Sequence, residues 1–157
     1  SYTDWLDVYR LNVLSAVGFT QAVLASMKKQ KWGRVIFMSS EVAARPWTIL
    51  PNYAVTKAAI ACVAKSLANE VGQYNITVNS IAPGVTPTPS WEKSAVEAGM
   101  STEAFAAQFD QSVMPDGDLG SVEDVAAQVC FLCSDAARWI TGSNHRVDGG
   151  AVQAVQN

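Results

Sequence analysis

Cysteine and histidine are scarce in this 157-residue sequence, and their scarcity removes several chemistries at the outset. Cys62, Cys130 and Cys133 are odd in number and suggest no disulfide framework. Cys130 and Cys133 have the spacing of a zinc pair. With His145 the only histidine and no second cysteine pair, they read instead as buried thiols on a helix. Charge is also low, with 16% of residues charged and a net charge of −3. Such a balance gives no electrostatic attraction to nucleic acid or to an anionic membrane surface, so neither is expected as a partner. No run approaches the roughly 18 uninterrupted apolar residues of a membrane span. The nucleophile elbow Gly-x-Ser-x-Gly is missing too, which weighs against a hydrolase drawn from Ser40, His145 and Asp148. The first residue is not Met, and Ser1-Tyr2-Thr3-Asp4 reads as the entry to a helix, so an upstream segment is expected.

What is present is apolar and ordered. Apolar residues make up 49% of the chain, enough for one domain with a real core and for further burial between subunits. Thr3 is a plausible N-cap, with Asp4 and Asp7 in the first turn of a helix reaching about Met27. Small residues (Ser15, Gly18, Ala22, Ala25) and bulky ones (Val13, Val17, Leu24, Met27) recur on different faces, so both faces are expected to be buried. Val35-Ile36-Phe37-Met38 is a short continuous apolar run, as a strand covered on both sides requires. A helix over 53–71 closed by Gly72, a strand over 76–81 and short helices within 90–112 follow. Ser121 and Asp124 resemble a capping box, and Val122, Val125, Ala126, Val129 and Cys133 mark the core face of the next helix. A last strand over 145–147 ends at Asp148-Gly149-Gly150. This alternation predicts an α/β fold, a doubly wound parallel sheet between helical layers, with right-handed crossovers.

In such sheets ligands collect at the carboxyl ends of strands. Ser39-Ser40 ends one strand and Pro83-Gly84 the next. Tyr53 and Lys57, four residues apart on one helix face, follow a loop that can return them to that edge. A phenol, an ammonium and a serine hydroxyl meeting in one crevice exceed what core packing needs. The bland alternative is a core tyrosine beside a lysine that snorkels to solvent.

At these residues the sequence resembles the short-chain dehydrogenase/reductases. Tyr53-x-x-x-Lys57 matches their signature, and Ser40 stands thirteen residues before the tyrosine, as the family's serine does. Ser39 competes for that place, and only the spacing favours Ser40. Asn12 matches the fourth catalytic position, and a purely structural role is the alternative for a polar residue there. Residues 81–88, with Pro83, Gly84, Thr86 and Thr88, look like the family's Pro-Gly segment and its downstream threonine. Ile140-Thr141-Gly142 and Val147-Asp148-Gly149-Gly150 look like its C-terminal ending. Motifs in this order and spacing are far more specific than any one of them.

The resemblance implies a Rossmann-type domain and NAD- or NADP-dependent interconversion of an alcohol and a ketone, as in a 3-oxoacyl reductase. Tyr53 would be the general acid/base, with its pKa pulled toward neutrality by Lys57. Lys57 would also bind the nicotinamide ribose, and Ser40 would hold the substrate oxygen. Asn12 would hold a water relaying protons to Lys57. Pro83, Gly84, Thr86 and Thr88 would hold the carboxamide. The family's opening Thr-Gly-x-x-x-Gly-x-Gly turn is absent here. Residues 1–157 are therefore expected to be a single partial domain, the C-terminal portion, with a flap over about 90–114. Trp91, Phe105 and Phe109 suggest an apolar substrate wall there. The resemblance also implies a cytoplasmic homodimer or homotetramer built on the first two long helices. The alternative class is a non-catalytic scaffold or interaction domain.

Overall fold

The computed structural model describes residues 1–108 and 114–153, so Phe109 lies outside the described residues. Its first helix is capped by Ser1 rather than Thr3. The Ser1 hydroxyl accepts from the Asp4 backbone N–H, and the Asp4 carboxylate accepts from the Ser1 amine at 2.6 Å. That reciprocal box satisfies two end groups together, which Thr3 is not placed to do. Helix α1 (Tyr2–Tyr9) runs through a π turn (Arg10–Leu14) into α2 (Ser15–Gln30).

Strands β1 (Gly33–Met38), β2 (Ile76–Pro83) and β3 (Asn144–Val147) form one parallel sheet in that order. Gly33 lies opposite Ile76, and Ser80 opposite Asn144. Strand alternation sends Phe37, Ile76 and Val78 to one face, against Ile60, Ala64 and Ala68 of α3 (Pro51–Val71) and Val13. Ile36 and Ile81 face the other way, toward Leu132 of α6 (Val122–Cys133) and Ala137. The expected three layers are therefore present. Burying a side chain such as Ile60, Ile81 or Leu132 fully contributes about 1.5–3 kcal/mol, and these residues hold the layers together.

The crossovers differ from expectation. Both step across the sheet in the same direction, yet α3 and α6 lie on opposite faces, so they cannot share a hand. The right-handed preference belongs to compact strand–helix–strand units. Here the chain between β2 and β3 first forms α4 (Pro89–Glu97) and α5 (Thr102–Ala106), a route long enough to deliver α6 to the far face.

Other corrections concern helix ends and phases. Gly72 ends α3 at φ −55°, and the left-handed residue is Asn75 at φ 59°, whose side chain donates to Lys31 O at 3.1 Å. The inward positions of α6 are Val125, Val129 and Leu132, whereas Val122, Ala126 and Cys133 are exposed. All three cysteines are exposed, so Cys130 and Cys133 are not buried thiols, and no metal-binding group occurs among the described residues. On the first two helices only Val13 and Thr20 are buried, while Leu11 and Phe19 are 72% and 78% exposed, so one expected buried face is open. In length and composition alone the Tyr2–Gln30 helix would suffice to cross a membrane. Its Val13, Leu24 and Met27 are instead committed to the core shared with α3.

His145 lies opposite Ile81, with its Nε2 buried and unpaired among the described residues. Burial holds its imidazole below the ordinary pKa. The unfolded chain therefore binds the proton first, and stability falls as pH drops through about 6.5. His145→Leu should flatten the dependence of melting temperature on pH between about 5 and 7. An unchanged slope would refute this.

Candidate active site

Because β1 and β2 are parallel, their carboxyl ends share one edge of the sheet, and α3 starts above it with Pro51 in its first turn. The two serines after β1 divide the work. Ser39 is 3% exposed; its hydroxyl donates to Lys57 O at 2.8 Å and its N–H to Ile81 O at 2.7 Å. It thus pins α3 to the sheet. Ser40 caps a short turn, accepting weakly from Val42 N at 3.4 Å, and lines a cleft of about 390 Å³ together with Tyr53. The structure therefore places Ser40, not Ser39, on the cleft.

Tyr53 is half-buried, and burial pushes its phenol above the ordinary pKa, while the Ser40 hydroxyl pulls it down. The groups acting on the phenol are its burial and the Ser40 hydroxyl; the Lys57 ammonium is not among them. Burial likewise lowers the Lys57 ammonium. The Lys57 amine lies 5.3 Å from the centre of the Tyr53 ring and donates to Met38 O at 2.8 Å, so it faces the ring and the strand end.

Asn12 sits in the π turn, an irregularity often found at functional sites. Its amide donates to Thr56 Oγ1 at 3.0 Å, and that hydroxyl donates to Tyr53 O at 2.7 Å. Asn12 is thus tied to the helix turn carrying Tyr53 and Lys57, rather than to the lysine amine. Thr56, 2% exposed, escaped the sequence reading. Its only signal was a helix-interior threonine beside Lys57.

The segment after β2 forms the opposite wall. Pro83 lies opposite Val147, and Gly84 N donates to Val147 O at 2.9 Å. A Cβ on Gly84 would lie 2.7 Å from Asp148 Cα, so glycine is required there. The Thr86 hydroxyl donates to Gly84 O at 3.3 Å. The Thr88 hydroxyl accepts from Trp91 N at 3.3 Å as the N-cap of α4, so it stabilises the turn while bordering the cleft. Trp91 and Phe105 meet edge to face, with ring centres 4.7 Å apart, in the same wall. Trp47, Ile49 and Leu50, before α3, extend the apolar lining and were not anticipated. Nor was Glu41, an acid 4% exposed beside Ser40. The donors and acceptors on this rim, namely backbone amides, threonine hydroxyls and an ammonium, suit a carboxamide and sugar hydroxyls.

Comparisons with known proteins identify the family and the fold. Residues 1–152 match the family described as Enoyl-(Acyl carrier protein) reductase. The 3-oxoacyl-[acyl-carrier-protein] reductase of Pseudomonas aeruginosa is 39% identical over 149 residues, covering 94% of this chain and 56% of that protein. The L-sorbose reductase of Gluconobacter frateurii, solved with NADPH and L-sorbose, is 33% identical. It superposes with a TM-score of 0.91 over 99% of this chain and 60% of its own. An acetoin dehydrogenase of Salmonella typhimurium is 28% identical, with a TM-score of 0.79 over 98% of this chain and 57% of its own. The chain thus spans little more than half the length of these relatives.

Proposed function

We propose, because the chain belongs to the short-chain dehydrogenase/reductase family, that the whole protein interconverts an alcohol and a ketone with NAD or NADP. The observation carrying this reading is the meeting of Ser40 and Tyr53 at the strand-end cleft, with Lys57 one helical turn away. The nicotinamide, when bound, supplies or accepts the hydride. The other steps belong to this chain. Ser40 Oγ donates a hydrogen bond to the substrate oxygen, and Tyr53 Oη gives that oxygen its proton during reduction. Lys57 holds the ribose, and Pro83, Gly84, Thr86 and Thr88 hold the carboxamide end. Asn12 steadies the catalytic turn through Thr56. A free phenol is only about 0.1% ionised at pH 7, and burial reduces this further for Tyr53. Tyr53 is consequently a proton donor near neutrality, which favours ketone reduction; alcohol oxidation should rise with pH.

Loss of reduced-nicotinamide absorbance with a ketone panel tests the activity in the full-length protein. Absence of turnover with either cofactor would sink it. Ser40→Ala should carry the rising limb of alcohol oxidation to higher pH, since the hydroxyl that favours phenolate is gone. A limb that stays in place would refute that assignment.

The chain reads as the C-terminal part of a single domain, with Ser90, Trp91, Ser94 and Phe105 of the flap segment shaping the substrate side of the cleft. Exposed Leu11, Phe19 and Val55 on the α1–α2 rod and α3 suit contact with a second copy, giving a homodimer or homotetramer. A cytoplasmic location accords with the acyl-carrier-protein reductases it resembles.

A further inference from the structure

Among the described residues Glu41 is the one acid lining the cleft, directly after Ser40 in a short 3-10 turn. It is 4% exposed, yet its carboxyl takes part in no hydrogen bond or ion pair among the described residues. Its backbone carbonyl is occupied, accepting from Ala44 N and Arg45 N at 2.9 Å each, so the turn holds the side chain in place. Two charges act on it from neighbouring elements, Arg45 and Asp148. Neither is spare. The Arg45 guanidinium donates to Ala151 O at 3.0 Å, and the Asp148 carboxylate accepts from Gly150 N and Val152 N at 3.1 Å each. A largely desolvated carboxyl without a protein partner is unfavourable, whereas one that meets a donor arriving in the cleft becomes a selective contact. The lining otherwise combines apolar side chains such as Trp47, Leu50, Trp91 and Phe105 with neutral hydroxyls such as Ser90 and Ser94, so among the described residues Glu41 is its one charged acceptor.

We propose that Glu41 is a specificity-determining residue, its carboxyl accepting a hydrogen bond from a hydroxyl or ammonium group close to the reacting carbon, so that the preferred substrates are ketones bearing a neighbouring donor beside an apolar body. This rests on the oxidoreductase reading of the same cleft. A site built to pair with a substrate donor discriminates strongly against the analogue lacking it, because its own polar group is then left unpaired.

The test uses the full-length protein and four ketones: acetophenone, 2-hydroxyacetophenone, 2-methoxyacetophenone and 2-aminoacetophenone. The methoxy compound keeps the electron-withdrawing oxygen but cannot donate. Wild type should favour the hydroxy over the methoxy ketone by about 10- to 100-fold in kcat/KM. Glu41→Leu should bring that ratio close to one, and Glu41→Gln, which keeps an acceptor in nearly the same volume, should reduce it partway. The amino ketone separates the donors: if its advantage over acetophenone collapses more steeply in Glu41→Gln than that of the hydroxy ketone, the donor is ammonium. A hydroxy-to-methoxy ratio unaltered in both variants overturns the proposal. Binding of 1-phenyl-1,2-ethanediol and its 2-methoxy ether, followed by tryptophan fluorescence, needs no turnover. A diol preference that disappears in Glu41→Leu upholds Glu41 even where the redox reading fails, and equal affinities for the two in wild type overturn it.

Discussion

Tyr53→Phe should lower kcat of the full-length protein by about a thousandfold, within the range for loss of a general acid. Cofactor affinity should be largely retained. The substitution removes one oxygen and keeps the ring, so packing beneath α3 and the position of the Lys57 amine against that ring are preserved. Only the group proposed to move the proton would be lost. In the proposed mechanism Ser40 would still donate to the substrate oxygen, but a hydrogen bond cannot complete the transfer. Stopped-flow reduction of a ketone measures the first effect, and quenching of reduced-nicotinamide fluorescence the second. Retention of more than about a tenth of the activity would sink the assignment. An equal loss of cofactor affinity would instead give Tyr53 a binding role.

Gly84→Ala should cost about 1–3 kcal/mol of stability and lower the melting temperature by ~5 °C. Activity should fall with it. The added methyl would stand 2.7 Å from Asp148 Cα and 2.9 Å from its Cβ. These atoms belong to a braced turn, in which Asp148 accepts from Gly150 N and Val152 N at 3.1 Å each. The strain must therefore part the ends of β2 and β3, opening the 2.9 Å bond from Gly84 N to Val147 O. That bond positions the wall facing Tyr53, so stability and turnover should decline together. Calorimetry and steady-state rates on the same preparation check both. A variant as stable as wild type would show that the turn yields more readily than its hydrogen bonds indicate.

The residues of the candidate site were legible because they lie on local patterns. The four-residue spacing of Tyr53 and Lys57 shares a helix face whatever the surroundings, and Pro83-Gly84 must end a strand. Thr56 and Glu41 were missed because their importance comes from partners distant in the chain. Asn79 is similar: it is fully buried, its amide donating to Ile140 O at 2.8 Å and its carbonyl accepting from Ser143 N at 3.1 Å. A polar residue inside an apolar strand carries no local sign that it fastens the chain leading into β3.

From the linear chain alone came the order of helices and strands, the parallel sheet and the shared helix face of Tyr53 and Lys57, because periodicity and backbone chemistry act over a few residues. Folding in three dimensions decided which serine meets the phenol, which face α6 covers and which way burial moves the Tyr53 proton. Those outcomes depend on desolvation and on hydrogen bonds between segments far apart, such as Asn12 to Thr56, and no short-range pattern encodes them.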